Sequence, residues 1–213
     1  MPRIDFSLYL VTDRHQTAGR PLVPLLREAL ESGLRAVQLR EKDLSTRDLL
    51  ELAREVRTLT REHGARLLVN DRLDIALAVE ADGVHLRADS LPVTVARRLL
   101  GPESLIGRSV HSVEDAALAE SEGADFVLLG PVYATPSKLA YGAPLGLGPL
   151  KEAAQRIRVP VFAIGGITAA RLGEMRLAGA QGVAVISAIL SAESVGSATR
   201  ELLDATSGFI GKS

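Results

Sequence analysis

Eight short apolar runs, each separated from the next by a longer segment with helical spacing, constrain this chain more than any other feature. They are LYLVT from Leu8, AVQLR from Ala36, LLVN from Leu67, GVHL from Gly83, LIGRS from Leu105, FVLLG from Phe126, VFAIG from Val161 and GVAVIS from Gly182. Most carry Val, Ile or Leu on consecutive positions, which predicts strands buried on both faces, as in a parallel sheet covered by helices. The intervening stretches LVPLLREALESG, TRDLLELAREVRTLTREHG and VEDAALAESEG repeat apolar residues three and four apart and predict helices packed outside that sheet. Thr46, Ser112 and Thr168 stand where a cap would accept from orphan amides, and Gly33, Gly64, Gly123 and Gly179 stand where helices would stop. The strand entries SGLRAVQLR, EADGVHLR, EGADFVLLG and AGAQGVAVIS echo one another, as turns of a closed ring would. Eight units in 213 residues predict one (β/α)8 TIM barrel domain, residues 1–213, rather than an open doubly wound sheet.

Charge excludes several partners. Lys and Arg number 25 against 26 for Asp and Glu, so no bulk field draws the chain to nucleic acid or to an anionic membrane, and any anion site must be local. Cysteine is absent, which removes disulfides, thiolate metal ligands and thiol nucleophiles and suits a reducing compartment. The start MPRIDFSLYLVTDR has no signal-peptide pattern, and no stretch reaches the roughly 20 apolar residues of a membrane span, so a cytoplasmic protein is expected. Whether it forms a homo-oligomer is left open.

A barrel of this kind gathers its chemistry on the loops after its strands. Gln38, Arg40, Glu41 and Lys42 end the second run; Asn70 and Asp71 end the third; Arg87 and Asp89 follow the fourth. Arg108, Ser109 and His111 end the fifth, while Thr135, Ser137 and Lys138 lie beyond the sixth in a long loop rich in Pro and Gly. Gly165, Gly166 and Ser187 complete the ring. Arg40 and Lys42 can meet an anion, one by a planar fork and the other as a point charge. Asn70 and Asp71 offer oxygens suited to Mg2+ with substrate phosphates, although alone they read more simply as a turn whose side chains bond local backbone. Thr135, Ser137 and Lys138 can cradle a phosphate or form a plain turn. Two glycines at a strand end before Thr168, with Ser187 after the next strand, match the place where such barrels bind phosphate with bare amides. His15 and His63 read as surface; His85 and His111 end strands, and only His111, beside Ser109, is kept as an acid/base candidate.

The motifs QLREKD at Gln38, VNDRLDIAL at Val69, ADGVHL at Ala81, IGRSVHS at Ile106, LLGPVYATPSK at Leu128, AIGGIT at Ala163 and GVAVISAI at Gly182 resemble the superfamily of thiamin phosphate synthase and the TenI-type thiazole tautomerase. The resemblance runs nearly the whole chain. It implies a transferase that couples hydroxymethylpyrimidine pyrophosphate to thiazole phosphate and releases pyrophosphate. On that resemblance Arg40, Lys42, Asn70, Ser109 and Lys138 would hold pyrophosphate, Asp71 would ligate Mg2+ and Gln38 would orient the pyrimidine. Thr135, Ser137, Gly165, Gly166 and Ser187 would hold the thiazole or its phosphate. The synthase has a Gly-Gln-Glu-Asp run after its fourth strand, whose last acid is a second Mg2+ ligand; here HLRADS leaves only Asp89, one residue early. The tautomerase branch uses a histidine after its sixth strand, where this chain has Pro131, so His111 would have to serve instead. A barrel that binds phosphate ligands without catalysis is the third expectation, since fold does not fix chemistry.

Overall fold

The computed structural model describes residues 4–135 and 143–209. Its eight strands are β1 (Leu8–Val11), β2 (Ala36–Leu39), β3 (Arg66–Asn70), β4 (Gly83–Leu86), β5 (Leu105–Val110), β6 (Phe126–Leu129), β7 (Val161–Ile164) and β8 (Gly182–Val185). Each pairs in parallel with the next, and β8 pairs with β1, so the sheet closes in chain order. The strands fall within a residue or so of the eight apolar runs. Runs without polar alternation work here because one face of each strand meets the helices and the other meets the lumen.

Helices α1 (Leu22–Glu31), α2 (Thr46–Glu62), α3 (Leu73–Ala78), α4 (Val93–Leu100), α5 (Val113–Ser121), α6 (Leu147–Arg156), α7 (Leu172–Leu177), α8 (Ser187–Leu190) and α9 (Val195–Thr206) follow the strands. Ser112 caps α5 as expected, accepting from the Asp115 amide at 3.0 Å. The other two caps need correction. Ser45, not Thr46, caps α2 by accepting from the Asp48 amide at 3.2 Å, and Thr46 is the first helical residue. Thr168 makes no side-chain cap, because the chain first closes a 3-10 turn over Ala169–Arg171 before α7 begins. Gly33, Gly64, Gly123 and Gly179 all have positive φ, which is how a helix end reverses without a Cβ clash.

Two apolar layers result. The larger lies between sheet and helices, and the smaller fills the lumen with Phe6, Tyr9, Phe126, Phe162 and their neighbours. The chain has only four Phe, and three of them stack here with Tyr9 at centroid separations of 5.4–6.5 Å. This plug closes the lower barrel and dictates glycine on the neighbouring strands, where Gly107 is paired with Phe126 and Gly182 with Phe162. A Cβ on Gly182 would stand 2.3 Å from the Phe162 ring, and one on Gly107 would stand 2.4 Å from Phe126. The lumen is therefore solid up to the layer where its polar residues begin.

Candidate active site

Strand parity carries polar residues from the plug to the mouth. Side chains two apart share a face, so Gln38 and then Arg40 follow lumen-facing Ala36 on β2, and Asn70 follows Leu68 on β3. Ser109 lies four residues beyond Leu105 on β5. The Arg40 amide is held by the buried Thr12 hydroxyl at 2.9 Å, which fixes where the guanidinium leaves the barrel. Gln38 is 2% exposed, and its Nε2 has no hydrogen-bond partner among the described residues. The Tyr9 hydroxyl beneath it is buried as well; the Gln38 amide favours its ionised form, yet the two do not complete a hydrogen bond of normal geometry. Burial dominates and holds Tyr9 neutral. A buried donor without an acceptor costs about 1–3 kcal/mol unless something else satisfies it.

His85, on β4, is 1% exposed, and its Nε2 lies 2.9 Å from Ser109 Oγ. Burial, then the charges of Arg108 and Arg40, lower its pKa to about 3, so the ring is neutral near pH 7. Its Nδ1 has no partner and faces Gly107, where even a Cβ would approach to 2.5 Å. An unpaired lone pair is tolerated better in a dry interior than an unpaired N–H, which assigns the proton to Nε2. His85 then donates to Ser109, and the Ser109 proton is left to point elsewhere. With the neutral imidazole as donor, the Ser109 O–H is available to another acceptor.

The same shift predicts an acid sensitivity. The unfolded ring binds a proton below about pH 6.5 while the folded ring refuses one until about pH 3, so stability must fall as pH drops through that window. Equilibrium denaturation should show a loss of about 3 kcal/mol from this residue between pH 6.5 and pH 4, absent in His85→Gln. Equal pH slopes in both proteins would refute the assignment.

The β3 and β4 ends form an ionic cluster. Asp71 has φ +61°, a left-handed conformation that asparagine and aspartate enter more readily than other side chains. Its Oδ1 accepts from the Arg87 amide at 3.3 Å, and its Oδ2 lies 3.6 Å from Arg87 Nε. The local Asx turn is therefore not what holds Asp71; its partner is sixteen residues away. Arg87 also grips Asp89 through Nε at 2.9 Å and Nη2 at 2.5 Å. Asp89 is held below the usual carboxylate range chiefly by that contact, with help from the charge of Lys42. Arg108 clamps the following loop by donating to the carbonyls of Leu91 at 2.7 Å and Ala88 at 3.0 Å.

Among the described residues no group of three His, Asp or Glu is placed to hold a metal. Asp71, with Asp89 at 72% side-chain exposure beyond Arg87, fits Mg2+ only in the mode where the protein supplies one or two carboxylates and substrate phosphate and water supply the rest.

On the far side of the mouth, His111 Nδ1 donates to the Gly130 carbonyl at 2.6 Å, which leaves its Nε2 as the basic nitrogen. Gly165 and Gly166 adopt φ +102° and +64°, and no side chain fits there, since a Cβ would meet Pro131 at 2.6 Å or Tyr133 at 2.8 Å. Arg171 donates to the Gly166 carbonyl at 2.6 Å and stacks 4.2 Å over the Tyr133 ring, whose hydroxyl donates to Glu174 at 2.6 Å. Ser187 is exposed at the start of α8, and Thr135 is half-buried after β6. Ser137 and Lys138 lie outside the described residues.

The described candidates thus follow the strand ends from β2 round to β8, with Lys42 exposed in the turn before α2. Sequence reasoning missed Thr12, Arg171, the ordering role of His85 and the clamp of Arg108. Thr12 carried a usable signal, a polar residue following a strand; the others depend on contacts made in the fold, His85 and Arg108 across neighbouring β4 and β5 and Arg171 with the turn after β7 and with Tyr133.

A family model described as thiamine monophosphate synthase matches residues 8–189. A thiamine-phosphate synthase of Moorella thermoacetica is 46% identical over 212 residues, covering 100% of both chains. One of Chloroflexus aurantiacus is 45% identical over 93% of this chain and 92% of its own. Among solved structures, thiamine phosphate pyrophosphorylase from Pyrococcus furiosus superposes with a TM-score of 0.86 at 41% identity, over 96% of this chain and 97% of that one. The structure of 3-hexulose-6-phosphate synthase, 18% identical with a TM-score of 0.67, covering 94% of this chain and 99% of its own, shares the fold alone.

Proposed function

This chain belongs to the thiamine monophosphate synthase family, and from that premise we propose that it couples hydroxymethylpyrimidine pyrophosphate to thiazole phosphate, acting as a single barrel domain in the cytoplasm. Among the described residues no helix is long and apolar enough to cross a membrane. The observation that carries the reading is the mouth over β2, β4 and β5, where Gln38 has a buried unused donor and the Arg40 charge is felt at neutral His85, whose Nε2 lies 2.9 Å from the Ser109 hydroxyl.

The chemistry follows from where charge develops. The bond from the pyrimidine methylene to pyrophosphate breaks, its electron pair leaves with pyrophosphate, and the thiazole nitrogen captures the stabilised carbocation. Arg40, Lys42, Ser109, Asn70 and Lys138 meet the growing negative charge, and such preorganised donors stabilise the transition state more than the ground state. Mg2+, held by Asp71 with Asp89 as the second candidate, would neutralise further pyrophosphate charge. Gln38 donates to the pyrimidine. The bare amides of Gly165 and Gly166, with Ser187, Thr135 and Ser137, hold the thiazole phosphate, and Arg171 keeps the glycine turn in register with Tyr133.

His111 favours a second reading. Its Nδ1 contact leaves Nε2 basic at the mouth, which suits proton transfer on a thiazole phosphate isomer. Two incubations of the purified protein separate the readings. With both substrates and Mg2+, the synthase forms coupled product and pyrophosphate; with the thiazole tautomer alone, a tautomerase exchanges a proton. Exchange without coupling would replace the first reading by the second, and binding without either would leave a non-catalytic barrel.

A further inference from the structure

Arg87 contacts both acids at the β3 and β4 ends, Asp71 and Asp89. Its amide donates to Asp71 at 3.3 Å and its Nε lies 3.6 Å from Asp71 Oδ2, while the hydrogen bonds of Nε and Nη2 go to Asp89. One guanidinium therefore engages both acids that could serve a divalent ion, and Lys42 adds positive charge on the same side. Arg108 holds the carbonyls of Ala88 and Leu91 on either side of Asp89, so the loop presents the Arg87 to Asp89 pair in a set place. A divalent ion at Asp71 would stand within a few ångströms of a fixed like charge. A polyanion reverses this, because it offers the guanidinium a bidentate partner and brings oxygens of its own to the metal.

We propose that Arg87 is a positioning residue that sets the order of binding: it covers Asp71 in the free protein, passes to the pyrophosphate group when that arrives, and so admits the metal only together with its polyanion. This rests on the reading of Asp71 and the pyrophosphate site above, and deepens it. The consequence is weak metal binding by the ligand-free protein and strong mutual reinforcement between metal and pyrophosphate, a coupling that must act equally in both directions.

Binding of Mn2+ followed by the paramagnetic resonance of the free ion, without organic substrates, tests this apart from catalysis. Arg87→Met should bind Mn2+ at least about fivefold more tightly than wild type when no anion is present. The gain should shrink to less than about twofold in saturating inorganic pyrophosphate, and Asp71→Asn in the same background should abolish it. Arg87→Lys, which keeps the charge and loses the fork, should fall between wild type and Arg87→Met. Arg72→Met removes a neighbouring cation paired with Asp74 and should change Mn2+ affinity by less than about twofold. No gain in Arg87→Met, an equal gain in Arg72→Met, or a gain that survives Asp71→Asn would overturn the proposal. Loss of coupling activity with this Mn2+ pattern intact would instead count against the synthase reading alone.

Discussion

Arg40→Ala is expected to lower kcat/KM for coupling by at least about a hundredfold, equivalent to about 2.7 kcal/mol of transition-state stabilisation. The residue sits one parity step above buried Gln38, and its backbone is pinned to Thr12 at 2.9 Å, so its charge is delivered from a fixed point. That charge is felt inside the barrel, where it helps to keep His85 neutral. Losing it removes attraction for the leaving group at the moment its charge grows, an effect larger in a partly dry mouth than in water. The melting temperature should move by only a few degrees, because the pinned group is the amide, which alanine keeps. Arg40→Lys separates charge from shape: a point charge should recover part of the loss but not the two-pronged contact. Steady-state kinetics on the three proteins checks this, and an unchanged rate in Arg40→Ala would remove Arg40 from the site.

The second large effect is structural and reaches the site indirectly. Gly107→Ala would place a Cβ 2.4 Å from Phe126 and 2.5 Å from His85 Nδ1, both fully packed in the lumen. Neither ring can withdraw, since Phe126 is wedged among Phe6, Tyr9 and Phe162 and His85 is tied to Ser109. Overpacking of that kind typically costs 1–3 kcal/mol and sometimes more, and with rings on both sides about 3 kcal/mol is expected, or about 6–12 °C in melting temperature for a chain of this size. Any folded fraction should also couple more slowly, because displacing His85 redirects the Ser109 proton. Gly148→Ala is the contrast: in the first turn of α6 a Cβ there meets nothing within 4 Å, so stability should stay within about 1 kcal/mol of wild type. Thermal melts decide it, and equal melting temperatures for the two variants would contradict the solid-lumen account.

The contrast between those glycines marks where the sequence was legible. Strand existence and order could be read because burial on both faces leaves unbroken apolar runs such as FVLLG and VFAIG, and the candidate arc followed from the rule that barrel chemistry collects after strand ends. Parity then set Gln38, Arg40, Asn70 and Ser109 on one inner surface. What could not be read depends on three-dimensional neighbours. Nothing in ADGVHL says that His85 meets Ser109 on one side and a glycine with no room on the other, which is what turns an ordinary strand histidine into an orienting group. Nothing in HLRADS says that Arg87 reaches back to Asp71; from the sequence it is merely a departure from the synthase pattern. The cap at Ser45 rather than Thr46 is a smaller miss of the same origin, since either hydroxyl suits the position and backbone geometry chooses.

The central claim is that the β2 to β5 ends form a pyrophosphate and metal site that drives the coupling reaction. Its most direct measurement is the rate of coupled product formation by Asp71→Ala beside wild type, with both substrates at saturating Mg2+. The predicted result is a loss of more than about tenfold, or roughly 1.4 kcal/mol, with the melting temperature little changed. An undiminished rate would contradict the site, and with it the assignment of the β3 end to metal and pyrophosphate.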